Sequence, residues 1–181
     1  MVCILLGTGF EEAEALVPAD LLRRAKIDVC LAGVDGMSVT GAHNITVTAD
    51  CPVEQVSTDG LELLFLPGGL GGVAAIQASP AAMALIRQAH ARGVKLAAIC
   101  AAPTILAQLG LLDGKQAVCY PSMMDQLIGA DTSHGLNVVA DGDIITGQAA
   151  GSAFPFGLKL IEVLRGEEAA QKVSQSVYYC G

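Results

Sequence analysis

Three short stretches of the chain carry residues that could do chemistry. The first holds Cys100, in Ala98-Ile99-Cys100-Ala101-Ala102-Pro103, between an apolar run of strand length and a segment that reads as a helix. A strand-to-helix elbow forces its central residue into a tight turn and exposes that side chain. Its neighbours must be small, and here they are. This is the logic of the hydrolase nucleophile elbow with sulfur in place of oxygen and without its glycines. A helix N-terminus just beyond would supply partial positive charge and unpaired N–H groups, which favour a thiolate and an oxyanion. A cysteine there could equally fill a small gap in the core, so position alone leaves both readings open.

The second stretch holds Glu14, among Ala13, Ala15, Leu16 and Val17, with Pro18 four residues on. Pro18 has no N–H for the Glu14 carbonyl and crowds it, which predicts a kink or a widened turn centred on Glu14. A carboxylic acid desolvated beside a thiol would have a raised pKa and could donate a hydrogen bond to sulfur. Taken alone, Glu14 reads as a surface residue of an amphipathic helix.

The third stretch is Pro67-Gly68-Gly69, where glycines at a strand end would let backbone N–H groups approach a ligand. Gly7-Thr8-Gly9 begins like a dinucleotide fingerprint, but Glu12 occupies the third glycine position and would repel a pyrophosphate. His43, His90 and His134 lack the paired spacing of a metal site, and no G-x-S-x-G of a serine hydrolase occurs.

These stretches need elements to position them. Val2–Leu6, Val29–Val34, Leu61–Leu66 and Lys95–Ile99 are apolar runs of strand length. Glu11–Ala25 reads as a helix, with Thr8 and Glu11 spaced for a capping box. Ser79-Pro80 opens a helix to about Ala91, and Pro103 opens another to about Leu109. Ile45–Thr48 reads as an edge strand and Gln116–Cys119 as a short strand. Val138–Ala140 and Ile144–Thr146 flank the hairpin signal Asp141-Gly142-Asp143. Phe154, Leu158, Ile161 and Leu164 give one helical stripe, and Glu167–Tyr178 reads as a last helix. Continuous apolar strands alternating with helices predict a mainly parallel sheet covered on both faces. The expected fold is a three-layer α/β/α sandwich, flavodoxin-like, formed by residues 1–181 as one domain. In such sheets the site lies beyond the carboxyl ends of the strands, at a switch point.

Composition agrees with this frame. Of 181 residues, 52% are apolar, 15% charged and 4% aromatic, so the core must be built from Ala, Val, Leu and Ile. A net charge of −8 argues against nucleic acid and against an anionic membrane surface. The mean hydropathy of +0.54 raises the question of a membrane span. The uncharged run Leu63–Ile86 is long enough for one, but Pro67-Gly68-Gly69, Gly71-Gly72 and Ser79-Pro80 interrupt it. Met1-Val2-Cys3-Ile4 lacks the basic region of a signal peptide, so a soluble cytoplasmic protein is expected. The six cysteines, at 3, 30, 51, 100, 119 and 180, contain no C-x-x-C and are expected to be free thiols, one of them reactive.

In combination the motifs carry a resemblance. Glu11-Glu12-Ala13-Glu14 with Pro18-Ala19-Asp20 and Arg23-Arg24-Ala25, then Leu66-Pro67-Gly68-Gly69, then Ala97-Ala98-Ile99-Cys100-Ala101-Ala102-Pro103-Thr104, then Gly151-Ser152-Ala153-Phe154 follow one another in order. The chain resembles the ThiJ/PfpI (DJ-one) superfamily over nearly its whole length, in the branch typified by Parkinson disease protein 7. The resemblance implies that Cys100 is a nucleophilic, easily oxidised elbow cysteine and that Glu14 is the carboxyl hydrogen-bonded to its sulfur. It implies that the Gly69 and Ala101 backbone N–H groups form an oxyanion pocket. It further implies a small carbonyl substrate, no metal or organic cofactor, and a homodimer.

The implied activity is a glutathione-independent glyoxalase or deglycase acting on methylglyoxal or its adducts. Three positions depart from the pattern. Tyr120 stands where this branch has a histidine near the cysteine, and a phenol is a poor base at neutral pH. Gln148 and His43 stand where the animal proteins have arginines. The rival expectation is a redox sensor or chaperone-like protein whose Cys100 is oxidised to a sulfinate without turnover. A glutamine amidotransferase would need a late His and Glu, which His134-Gly135-Leu136 does not supply.

Overall fold

Strands that are apolar at every position must be buried on both sides, and the alternation of their side chains shows how. The computed structural model describes residues Met1–Cys180. In β1 (Val2–Leu6), Cys3 and Leu5 enter one core, while Val2, Ile4 and Leu6 enter the other. The strands β6 (Leu63–Leu66) and β7 (Lys95–Ile99) split the same way. Leu64, Leu66, Leu96 and Ala98 face the first core; Leu63, Phe65, Ala97 and Ile99 face the second.

The sheet has seven strands. They are β1, β2 (Val29–Gly33), β5 (Cys51–Pro52), β6, β7, β8 (Val138–Asp141) and β9 (Ile144–Gly147), in the spatial order β5-β2-β1-β6-β7-β9-β8. All neighbours run parallel except the β8–β9 hairpin. Helices α2 (Leu70–Ala78), α3 (Pro80–Ala91) and α4 (Pro103–Gln108) cover the first core through Val73, Ile76, Leu85, Ile86, Ile105 and Leu106. Helices α1 (Glu12–Arg24), α5 (Ala153–Arg165) and α6 (Glu167–Ser176) cover the second. The architecture is therefore the expected α/β/α sandwich with a mainly parallel, flavodoxin-like sheet. From β1 the chain first builds outward through β2 to β5, then crosses back and builds the other way from β6. The switch point lies between β1 and β6, and β7 is next in line.

The uncharged run Leu63–Ile86 becomes a strand and two helices, α2 and α3, bent by 86° at their junction. Among the described residues, no single helix is long and apolar enough to cross a membrane. Ser79 caps α3 as expected, its hydroxyl accepting the Ala82 N–H at 3.2 Å.

Several expectations need correction. The Thr8–Glu11 capping box does not form: Glu11 is the N-cap without a side-chain bond, and the Thr8 N–H donates to the Asp35 carboxylate instead. Helix α1 runs as α-helix from Glu12 to Arg24 through Pro18, so of the expected kink or widened turn at Glu14 the widened turn is not present. Thr46–Thr48 (β4) does not edge the main sheet; it pairs antiparallel with β3 (Ser38–Thr40) in a separate ribbon, and β5 takes the edge. Gln116–Cys119 makes only an isolated bridge, Gln116 to Asp131, because its N–H groups go elsewhere. Val118 donates to Thr146 Oγ1 at 3.0 Å and Cys119 to Met124 Sδ at 3.4 Å. In α5 the inward face is Phe156, Gly157, Leu160 and Ile161, while Phe154 stacks on Tyr179 at the surface.

Candidate active site

The carboxyl ends of β1, β6 and β7 are adjacent, and the three chemistry-bearing stretches meet there. Cys100 directly follows β7 with φ +64°, a left-handed backbone conformation that is uncommon outside glycine. The Ala102 N–H closes this turn on the Ile99 carbonyl at 3.1 Å, and two more hydrogen bonds fix Cys100 within it. The Cys100 N–H donates to the Gly147 carbonyl at 3.0 Å, continuing the β7–β9 ladder. The Cys100 carbonyl accepts the Tyr120 N–H at 2.8 Å. Ala101 and Ala102 are fully packed, and Thr104 Oγ1 donates to the Ala101 carbonyl at 2.7 Å, so only small residues fit around the bend. The cysteine itself is half-buried.

Glu14 is brought to the same place from α1 and is 1% exposed. Its Oε2 accepts the Gly68 N–H at 3.0 Å. Gly68 fits between the two groups only because it lacks a side chain. A Cβ there would collide with Glu14 Oε2 and come within 2.6 Å of Cys100 Cβ. Burial pushes the Glu14 carboxyl up to about 7, with the Glu11 charge adding to it; hydrogen bonding to Cys100, Gly68 and Ala150 works the other way. Burial likewise pushes the Cys100 thiol up to about 12, and the charge on Glu14 reinforces this. The N–H groups of Ala101 and Gly69 favour the thiolate. If the proton moves from sulfur to Glu14, the negative charge that disfavours the thiolate disappears with it. With the higher of the two pKa values, the thiol keeps its proton beside the carboxyl at neutral pH, so ionising it requires Glu14 to accept that proton.

Cys100, Gly69, Ala101 and Tyr120 all line one cavity of about 790 Å³, while Glu14 lies behind the cysteine, outside the lining. The wall also includes Gly9, Glu11, Ala42, Leu70, Gly71, Ser122, Met123 and Gln126. Among the described residues no histidine lines it. His134 sits in a surface loop with its Nε2 3.1 Å from the Ala117 carbonyl, and His90 faces Asp143 at 3.7 Å on α3. Gln148 is also outside the lining; its N–H pairs with the Asn137 carbonyl.

The glycines near β1 have a packing role. A Cβ on Gly9 would lie 2.9 Å from the Gly71 Cα, and one on Gly72 would lie 2.8 Å from the Phe10 Cα. These glycines let the start of α2 lie against the loop after β1 and so shape one wall of the cavity.

Sequence reasoning missed several contributors. Met123 and Gln126 come from a 3₁₀ segment, Pro121–Gln126, whose only signal was Pro121. Glu12 is 6% exposed and organises the β3–β4 turn: its Oε1 accepts the His43 N–H at 2.7 Å and the Ile45 N–H at 3.3 Å, and its Oε2 lies 3.0 Å from His43 Nδ1. Although burial opposes the charge, the bonds from His43 and Ile45 hold the Glu12 pKa below its ordinary value. Ala42 reaches the cavity because of this anchor. The ligand atoms of Glu11, Glu12 and His43 lie within 4.8 Å of one another, a spacing a cation could use, but both Glu12 oxygens are engaged by these contacts.

Comparison with known proteins agrees with this geometry. The profile of the DJ-1/PfpI family matches residues 1–163. Protein dj-1beta of Drosophila melanogaster is 39% identical over 96% of this chain and 94% of its own length. A deglycase of Pyrococcus abyssi is 28% identical over 91% of this chain and 99% of its own. The structure of oxidized Toxoplasma gondii DJ-1 superposes with a TM-score of 0.94 at 36% identity, covering 99% of this chain and 98% of that one. An elbow thiol facing a buried carboxyl at the switch point of this sheet therefore belongs to a member of the DJ-1/PfpI family.

Proposed function

We propose that this protein is a cysteine-dependent, glutathione-independent glyoxalase or deglycase acting on methylglyoxal or its early adducts. The observation that carries the reading is the pairing of a strained elbow thiol with a buried carboxyl of pKa about 7, beside a cavity large enough for a small carbonyl compound. The deglycase of Pyrococcus abyssi supports it as a relative.

The proposed chemistry balances without a cofactor. Ionised Glu14 takes the thiol proton as the Cys100 sulfur adds to the aldehyde carbon, and the Gly69 and Ala101 N–H groups hold the oxyanion. Glu14 passes that proton to the oxygen, which completes a hemithioacetal. It then removes the hydrogen on the same carbon as a proton and returns it to the neighbouring carbonyl carbon, while the hemithioacetal hydroxyl gives its proton to the neighbouring oxygen through the enediol. The result is a lactoyl thioester, which water cleaves to lactate and the free thiol. One methylglyoxal and one water give one lactic acid.

Tyr120 is 46% exposed at the cavity wall and serves as a hydrogen-bonding neighbour, not as a base. The test is turnover of methylglyoxal and of glycated cysteine without glutathione. Activity is expected from the native chain and a loss of at least ~100-fold from Cys100→Ala; unchanged activity in that variant contradicts the proposal.

The cavity's lack of a histidine favours a second reading, in which Cys100 serves as a redox sensor. In that case turnover is absent, and mild peroxide places oxygen on Cys100 before any other site.

A further inference from the structure

A second group of thiols lies away from the cavity, at the β5 edge of the sheet. Cys3 of β1 and Cys30 of β2 are register partners, so they share a face. Cys51 opens β5, the strand beside β2, and packs on the same core as Cys3. Cys30 Sγ and Cys51 Sγ are 3.4 Å apart. Cys3 is fully buried, whereas Cys30 and Cys51 are only partly buried and open to a small oxidant.

We propose that Cys30 and Cys51 form a reversible intramolecular disulfide on reaction with a hydroperoxide, with Cys30 as the attacking thiol and Cys51 as the resolving one. The site is separate from Cys100, and the proposal does not depend on the activity assigned there.

Geometry carries the argument. A disulfide requires the sulfurs at ~2.0 Å, so this pair must close by a little over 1 Å. One member sits on a strand of two residues, joined to β2 by two residue pairs at the sheet edge, where a small shift disturbs little else. The environments of the two thiols also differ. A hydrogen bond from Cys3, then one from Cys51, holds Cys30 down at about 6; the Arg23 charge assists, while burial and Asp50 oppose. Burial, then the hydrogen bond to Cys30, pushes Cys51 up to about 11. Of the two, Cys30 is thus the thiol more readily ionised and Cys51 the one more readily kept protonated.

The steps balance. The Cys30 thiolate attacks the peroxide, its sulfur gaining one oxygen as the O–O bond breaks and an alcohol or water leaves. The Cys51 sulfur then displaces hydroxide from the Cys30 sulfenic acid, and with the thiol proton this leaves as water. Two thiols are oxidised and one peroxide is reduced.

The bond would close the base of an excursion. Residues 34–50 join β2 to β5 and contain the β3–β4 ribbon, whose Ala42 lines the cavity and whose His43 is anchored by Glu12. Oxidation at the sheet edge would thus restrain a wall of the Cys100 cavity.

The test uses the native chain, stoichiometric hydrogen peroxide and alkylation of the remaining thiols. Cleavage at aspartates separates Cys30, in Asp28–Val34, from Cys51, in Asp50–Thr58. The expected result is these two peptides joined in a monomer-length chain, released by dithiothreitol. In Cys51→Ser the Cys30 sulfenic acid should persist and react with dimedone. Two alkylated peptides after Cys100 has been oxidised, or Cys51 joined to a second copy of the chain, would overturn the proposal.

Discussion

At the scale of the residue, the proposed mechanism rests on a buried carboxyl set beside an elbow thiol. Glu14 is buried and held near 7, and its charge is one of the causes that raise Cys100 to about 12. Removing the charge while keeping the shape should therefore separate two properties. In Glu14→Gln, alkylation of Cys100 by iodoacetamide at pH 9 should be faster, by roughly tenfold for each pKa unit recovered. Catalytic turnover should fall in the same variant because the proton carrier is gone. Equal or slower alkylation would show that Glu14 does not hold the thiol proton in place. Cys100 was legible from small neighbours at a strand-to-helix junction. Glu14 was singled out by the proline four residues on, but α1 has no widened turn there. Its burial comes from the way α1 meets the ends of β6 and β7, a tertiary contact that local sequence does not encode.

At the scale of the element, three strand ends and the loops that leave them do the positioning. Gly68 is the closest joint, since a side chain there collides with Glu14 and crowds Cys100. Gly68→Ala should lose stability by ~1–3 kcal/mol through overpacking, read by denaturant titration, and should lower turnover more than any change in folded fraction explains. Wild-type stability and activity in that variant would mean that the β6 end does not set the geometry. The apolar runs of β1, β6 and β7 were plain in the sequence because both faces of the sheet are covered. Helix α2 was not, since Gly71-Gly72 reads as a helix breaker. Those glycines are there because α2 begins against Gly9 and Phe10. β5 was hidden as well: it is two residues long and contains Pro52, which only an edge position tolerates.

At the scale of the whole molecule, the sheet order places a switch point between β1 and β6, and the family fold builds its cavity there. The fold bears a cost for the buried carboxyl. The folded pKa of Glu14 is raised from 4.5 to about 7, so the folded state binds this proton more tightly than the unfolded state. That contribution is complete below 4.5 and is lost as pH rises to about 7. At pH 8, Glu14→Gln should be more stable than the native chain by up to about 3 kcal/mol, and the difference should vanish near pH 4. Thermal or denaturant unfolding of both proteins at the two pH values checks this; a variant less stable at pH 8 contradicts the assignment. The sandwich could be read from patterning and the family from motif order. The cavity wall could not, because Ala42 and Met123 reach it from the β3–β4 ribbon and a 3₁₀ segment distant in sequence.

The most direct test of the central claim is covalent. The protein is exposed briefly to methylglyoxal without glutathione, quenched in acid, and its peptides are mapped by mass. An adduct is expected on Cys100 that forms fastest, disappears as lactate accumulates, and is missing in Cys100→Ala. An adduct spread evenly over the six cysteines, with lactate formed equally well by Cys100→Ala, would contradict it.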